Sequence, residues 1–240
     1  MTPEGVLAAL TALADPARAA HGVGYFPTAM RHLGVTTPQL RATLKPVIAS
    51  LRKAPASAAI ALGAALHASG IFEGRQAAYE ILALPKVRRT LTTSQVVALA
   101  EGNDNWCSVD TYATYLAGAA WREGVLDDAQ ITAWSASSDR WLRRTALVCT
   151  IPLNMASRGG KGDTPRTLAV CARLVDDRDD MVVKALSWAL RELAERDALA
   201  VQAFLGSHTV AARVRREVVR KLETGRKNPP VSKGSAGAPR

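Results

Sequence analysis

Hydrophobic residues along this chain recur at helical rather than alternating spacing, so the pattern predicts helices and no convincing strand. Pro3 to Ala14 places Val6, Leu7, Leu10 and Leu13 on one stripe and is expected to end at Asp15 and Pro16. Gly22 to Gly34 holds three glycines and Pro27 around Tyr25, Phe26 and Met30, which predicts a short helix or an irregular segment. Thr37 then reads as an N-cap and Pro38 as the first helical position for QLRATLKPVIASLR, with Pro46 expected to kink or divide that helix. Helical periodicity continues through Ser57–Ala68, Phe72–Leu82 and Thr93–Glu101.

Strong amphipathic segments begin near Asn105, Asp139, Asp179 and Val210, each behind a shorter helical pattern. A spacing of roughly 30 to 40 residues is that of degenerate HEAT or armadillo repeats. The expected fold is therefore all-α, an α-solenoid of HEAT-like helical repeats over residues 1–223, with a concave face that can gather residues from several helix pairs. A compact irregular helical bundle is the structural alternative. Residues 224–240 lack core formers and are expected to be a basic, disordered tail.

Charge narrows the partner. Lys plus Arg is 31 against 21 for Asp plus Glu, a formal net charge of +10, so a polyanion is the default partner and plain solubility the bland alternative. From Ala211 onward nine basic residues face two acidic ones, and Arg213 and Arg216 lie on a helix whose valines are needed for packing. Cys107, Cys149 and Cys171 show no paired spacing, which suits a reducing cytoplasm, and four scattered histidines suggest no metal site. No apolar run reaches membrane-spanning length, and no cofactor motif stands out.

The stretch Asn103 to Leu116 holds the candidate chemistry. If Asn105 starts a helix, Trp106 and Asp110 share one face, an indole beside a carboxylate. Trp141 with Arg144, and Trp188 with Arg191, repeat the theme with opposite charge, so three tryptophans could converge on one surface. Taken singly, tryptophans at helical positions are more often packing. Trp121 and Trp134 are assigned to packing, Asp139 to an N-cap, and Cys107 to a small buried filler.

Taken in order, LGVTTPQLR, EGRQAAYEIL, NWCSVD, DRWLRRTAL and ALSWALRE resemble the DNA alkylation repair family, the AlkD-like HEAT-repeat DNA glycosylases, from about Tyr25 to Leu222. The resemblance implies a catalytic cleft formed by Trp106, Asp110 and Trp188. It further implies Tyr25 as a cleft tyrosine and Arg144 and Arg191 as the family's arginines, with phosphates clamped by them and by the C-terminal basic helix. Cys107 stands where the family often has an acidic residue, and Pro27 where a lysine is frequent.

The resulting expectation is a monomeric, cytoplasmic, monofunctional DNA glycosylase acting in base excision repair. It would remove cationic N3- and N7-alkylpurines from double-stranded DNA and leave an abasic site. An alkylated purine already carries positive charge, so its departure needs no general acid, and one carboxylate can stabilise the oxocarbenium-like sugar. The alternatives are a non-catalytic HEAT-repeat protein that binds damaged or branched DNA by shape, and a scaffold for acidic proteins.

Overall fold

The computed structural model describes residues 2–227. Within them the regular structure is helical, and the nearest approach to a sheet is one isolated bridge between Arg31 and Ile71. The first helices are α1 (Pro3–Thr11), α2 (Pro16–Tyr25), α3 (Thr37–Leu51), α4 (Ala56–His67) and α5 (Phe72–Leu82). Asp15 and Pro16 separate α1 from α2 by starting the second helix. The Asp15 carboxylate accepts from Arg18 N–H at 3.0 Å, and Pro16 fills a position where no N–H is needed. The irregular stretch expected from Gly22 thus begins only at Phe26, because α2 runs through Gly22 and Gly24.

Thr36, one residue before the expected cap, closes a reciprocal capping box with Gln39 at the start of α3. Pro46 does not divide that helix. Leu40, Leu44 and Val47 are buried along one side of α3, and their packing offsets the backbone hydrogen bond that proline removes.

The remainder comprises α6 (Pro85–Arg88), α7 (Thr93–Ala98), α8 (Trp106–Thr111), α9 (Gly118–Arg122), α10 (Asp128–Ser135), α11 (Arg140–Val148), α12 (Ile151–Asn154), α13 (Thr164–Arg173), α14 (Asp180–Ala194), α15 (Ala198–Ser207) and α16 (Ala212–Thr224). Helix α8 passes into a π-helical turn, Tyr112–Ala117, before α9. There a Cβ on Gly118 would lie 2.5 Å from the Cys149 carbonyl oxygen, so glycine permits the close approach of the α11 end.

The segments expected near Asn105, Asp139, Asp179 and Val210 appear as α8, α11, α14 and α16; α10 packs on α11 and α13 on α14, while α15 also packs on α14. The expected segments pack in sequence, α8 on α11, α11 on α14 and α14 on α16, and so form one continuous layer. This stacking is the solenoid arrangement. A single hydrophobic core runs the length of the stack, from Leu10 through Tyr112 and Leu147 to Val218. The last residues of α16 reach Thr224, and the expected tail beyond Lys227 lies outside the described residues.

One irregular segment, Phe26–Thr36, is held by a buried carboxylate. Glu73, 1% exposed in the first turn of α5, accepts from the backbone N–H groups of Leu33 (2.9 Å), Gly34 (2.8 Å) and Val35 (3.2 Å). His32 Nδ1 lies 3.0 Å from the same carboxylate. Gly34 adopts φ +79°, and a Cβ there would meet the Asp15 carbonyl oxygen at 2.3 Å, so the chain threads this contact only as glycine. Glu73→Ala should lower stability by about 3 kcal/mol or more, since buried donors are left without an acceptor. Urea unfolding checks this, and a loss under about 1 kcal/mol contradicts the role given to Glu73.

Candidate active site

The site begins with three polar residues ahead of α8. Asn103 Oδ1 accepts from Tyr79 Oη at 2.9 Å and Arg75 Nη1 at 3.1 Å, anchoring the turn on α5. Asp104 reaches the opposite way and accepts from Thr28 Oγ1 (2.7 Å) and Ala29 N–H (2.6 Å). Asn105 caps the helix, its Oδ1 accepting from Ser108 N–H at 2.9 Å. These contacts fix where α8 starts and therefore which way Trp106 and Asp110 face.

Trp106 is half-buried and wedged by the segment that Glu73 and Asp104 hold. Tyr25 meets it edge-on at 5.3 Å between ring centres, and Phe26 at 5.8 Å. Phe26 in turn packs on Phe72 and on His32, whose ring stacks on Phe72 at 4.6 Å. Such ring pairs prefer edge-to-face or offset geometry, and the chain of them carries loop position to the indole. Tyr25 remains 66% exposed and lines the cleft mouth.

Asp110 stands one turn beyond Trp106. Its two oxygens accept a fork from Arg144 of α11, Nε to Oδ1 at 2.9 Å and Nη2 to Oδ2 at 2.8 Å. Arg144 Nη1 also donates to the Met181 carbonyl of α14, so one guanidinium joins three successive inner helices. The Arg144 side chain is 7% exposed and that of Asp110 20%. Burial pushes the Asp110 carboxyl above its ordinary 3.8, while the charge and hydrogen bonds of Arg144 pull against that rise. Each carboxylate oxygen keeps a further lone pair, so the fork leaves Asp110 able to accept from a ligand.

Helix α14 supplies the facing wall. Met181, Lys184, Trp188 and Arg191 follow each other at helical spacing and all line the same open cleft of about 510 Å³ as Tyr25, Trp106, Asp110 and Arg144. From α16 come Arg213 and Glu217, and Lys227 closes the rim. Arg213 pairs with Asp180 at 2.8 Å and with Glu217 at 3.3 Å, Lys184 with Asp180 at 2.7 Å, and Arg191 lies 3.8 Å from Glu217. Five cations thus face two carboxylates across two indoles. This combination suits a polyanion that carries a positive charge locally, because phosphates can meet the cations while indole faces and Asp110 favour a cation.

The structure brings Tyr25, Trp106, Asp110, Arg144, Trp188, Arg191 and Arg213 together. Arg144 holds Asp110 instead of standing free for a phosphate, and Arg216 is exposed on α16 away from the cleft lining. Trp141 does not reach the cleft; its ring carries the Arg140 guanidinium at 4.7 Å. Trp121 and Trp134 are buried, and Asp139 caps α11 through Trp141 N–H, as expected. Cys107 lines a neighbouring slot of about 150 Å³, and burial raises its thiol to about 11. Lys184, Met181, Glu217 and Lys227 were not singled out by sequence, although Met181 and Lys184 share the Trp188–Arg191 stripe. Among the described residues, no group of three or more His, Cys, Asp or Glu could hold a metal ion, and no helix is long and apolar enough to cross a membrane.

A stack of helices with a basic, tryptophan-walled cleft around one carboxylate defines the protein as all-α. More particularly, residues 6–222 match the family described as DNA alkylation repair enzyme, and the chain belongs to that family. Among solved structures it is similar to a "Predicted DNA alkylation repair enzyme from Enterococcus faecalis", with a TM-score of 0.72 and 18% identity over 88% of this chain and 97% of that one. At that identity the likeness bears on the fold alone. No curated protein matches the sequence.

Removing one partner of the Asp110–Arg144 pair isolates a charge in a poorly hydrated place. Arg144→Ala should cost about 3 kcal/mol in stability, and adding Asp110→Asn should restore part of it, because the amide carries no charge to strand. Urea unfolding of the single and double variants measures the coupling. Strictly additive losses contradict a direct, buried interaction.

Proposed function

We propose that this protein is a DNA glycosylase that hydrolyses the N-glycosidic bond of N3- and N7-alkylated purines in duplex DNA. The observation that carries the reading is the Asp110 carboxylate, gripped by Arg144 in the cleft that Trp106 and Trp188 line, in a chain of a DNA alkylation repair family.

Alkylation at N3 or N7 leaves the purine positively charged. When the C1′–N bond breaks, its electron pair neutralises the base, so the leaving group departs without a proton from the enzyme. Positive charge passes to C1′ and the ring oxygen of the sugar. Asp110, fixed by Arg144 before substrate arrives, meets that charge with little reorganisation and orients the attacking water. The indoles of Trp106 and Trp188 favour both the cationic base and the sugar cation. Water oxygen bonds to C1′, a proton goes to solvent, and an abasic site remains. Arg191, Arg213 and Lys184 replace their carboxylate partners with backbone phosphates, while Arg144 serves Asp110.

The test is release of free base from duplex DNA containing N7-methylguanine, run beside uracil-containing duplex. Methylguanine should be released and uracil left intact, because the mechanism above gives a neutral leaving group no proton. Absence of release across several alkylpurines overturns the enzymatic reading, and efficient uracil excision overturns the mechanism. The pH profile adds a second check. Excision needs Asp110 ionised and its carboxyl is raised, so activity should fall with acid through a value above the ordinary 3.8. A limb at or below that value contradicts the environment assigned to Asp110.

A further inference from the structure

Resting on the DNA reading above, we infer that the loop between α12 and α13 carries a second phosphate-binding patch, Arg158 with Lys161, which grips the duplex outside the cleft. The loop backbone is held from both sides. Arg122 Nη1 donates to the carbonyls of Pro152 (2.6 Å) and Arg158 (2.8 Å). Arg196 donates through Nε to Asn154 (2.7 Å) and through Nη2 to Gly160 (3.2 Å). Two arginines therefore satisfy two carbonyls of α12 and two of the loop, which is held in place before any ligand arrives.

Its own cations are left for a partner. The Arg158 guanidinium lies 3.5 Å over the Tyr115 ring, a flat platform that orients it without using its N–H donors. Lys161 is exposed. The nearby carboxylates are already matched: Asp163 accepts from Arg166 at 2.6 Å, and Glu123 pairs with Arg88 and Arg89. Among the described residues, neither Arg158 nor Lys161 makes an ion pair.

Tyr115 fixes the direction. It follows Asp110 on the same helical segment and lines, with Cys107 and Thr111, the slot that adjoins the Trp106–Asp110 stripe. Tyr115 lies in the π-helical turn Tyr112–Ala117, about one turn along the segment from Asp110. A strand with its sugar at Asp110 carries further phosphates on either side of it, and Arg158 is placed to meet one of them. A backbone phosphodiester is the anion that a planar guanidinium and an ammonium on the same loop recognise without reading sequence.

The experiment measures binding of undamaged duplex against salt concentration for the wild type, Lys161→Ala and Arg158→Ala/Lys161→Ala, with circular dichroism to confirm folding. Lys161 is exposed and makes no side-chain contact that folding requires, so that variant keeps the test sound if Arg158→Ala unfolds. The slope of log affinity against log salt should flatten by about one for the single and about two for the double variant. Single-turnover base release at saturating protein should stay within about twofold of wild type. Unchanged slopes in both variants, with a wild type that binds duplex steeply, overturn the patch and leave the cleft assignment standing. A wild type that binds duplex without salt dependence overturns the DNA reading and the patch together.

Discussion

The fork from Arg144 to Asp110 joins residues 34 positions apart in sequence and ties helix α8 to α11, while the third donor of the same guanidinium reaches the Met181 carbonyl on α14. An unpaired carboxylate at this depth would lose hydration and favour its neutral form. An unpaired arginine there would be costlier still to bury. Each group therefore makes the other tolerable, and their geometry sets the register of the three helices that build the cleft. Trp106 faces the cleft because α8 is locked at this point; Trp188 and Lys184 do so because α14 is.

A second set of buried polar contacts works upstream. Glu73 holds the loop at Leu33–Val35, Asp104 holds it at Thr28 and Ala29, and between them Tyr25 and Phe26 are pressed on the Trp106 indole. The cleft cations are kept in ion pairs with Asp180 and Glu217, which spares them mutual repulsion while leaving them open to exchange with a stronger anion. The Lys184 and Arg213 pairs with Asp180 are partly exposed and contribute little to stability, whereas Arg191 and Glu217 are each only 13% exposed. Rigid support under Trp106 and Asp110 and paired charge around them are complementary parts of one cleft.

Local signals made much of this legible in the sequence. Asn105 as a cap and the four-residue step from Trp106 to Asp110 are properties of a single turn, and both stand in the structure. The repeating pairs of helices followed from periodicity. The partner of Asp110 could not be read that way, since sequence spacing does not choose among many arginines, and Arg144 looked like a residue for the ligand. Trp141 shares its spacing with the cleft tryptophans yet lies under Arg140, because facing depends on how α11 is rotated against its neighbours. Glu73 bonding to a loop some forty residues away is likewise a tertiary fact. The stripe Met181, Lys184, Trp188, Arg191 was available from spacing alone and would have named Lys184 once Trp188 was placed.

The claim at the centre is that Asp110 acts by its charge and the indoles by charge and surface together. Single-turnover base release and duplex affinity, measured on Asp110→Asn and Trp106→Ala side by side, separate the two. Asp110→Asn should bind duplex as well as the wild type or slightly better while releasing base roughly two orders of magnitude more slowly, the scale of losing one preorganised electrostatic stabiliser. Trp106→Ala should lose both binding and rate. An Asp110→Asn variant that releases base at the wild-type rate would make the carboxylate a structural partner of Arg144 and contradict its place in the reaction.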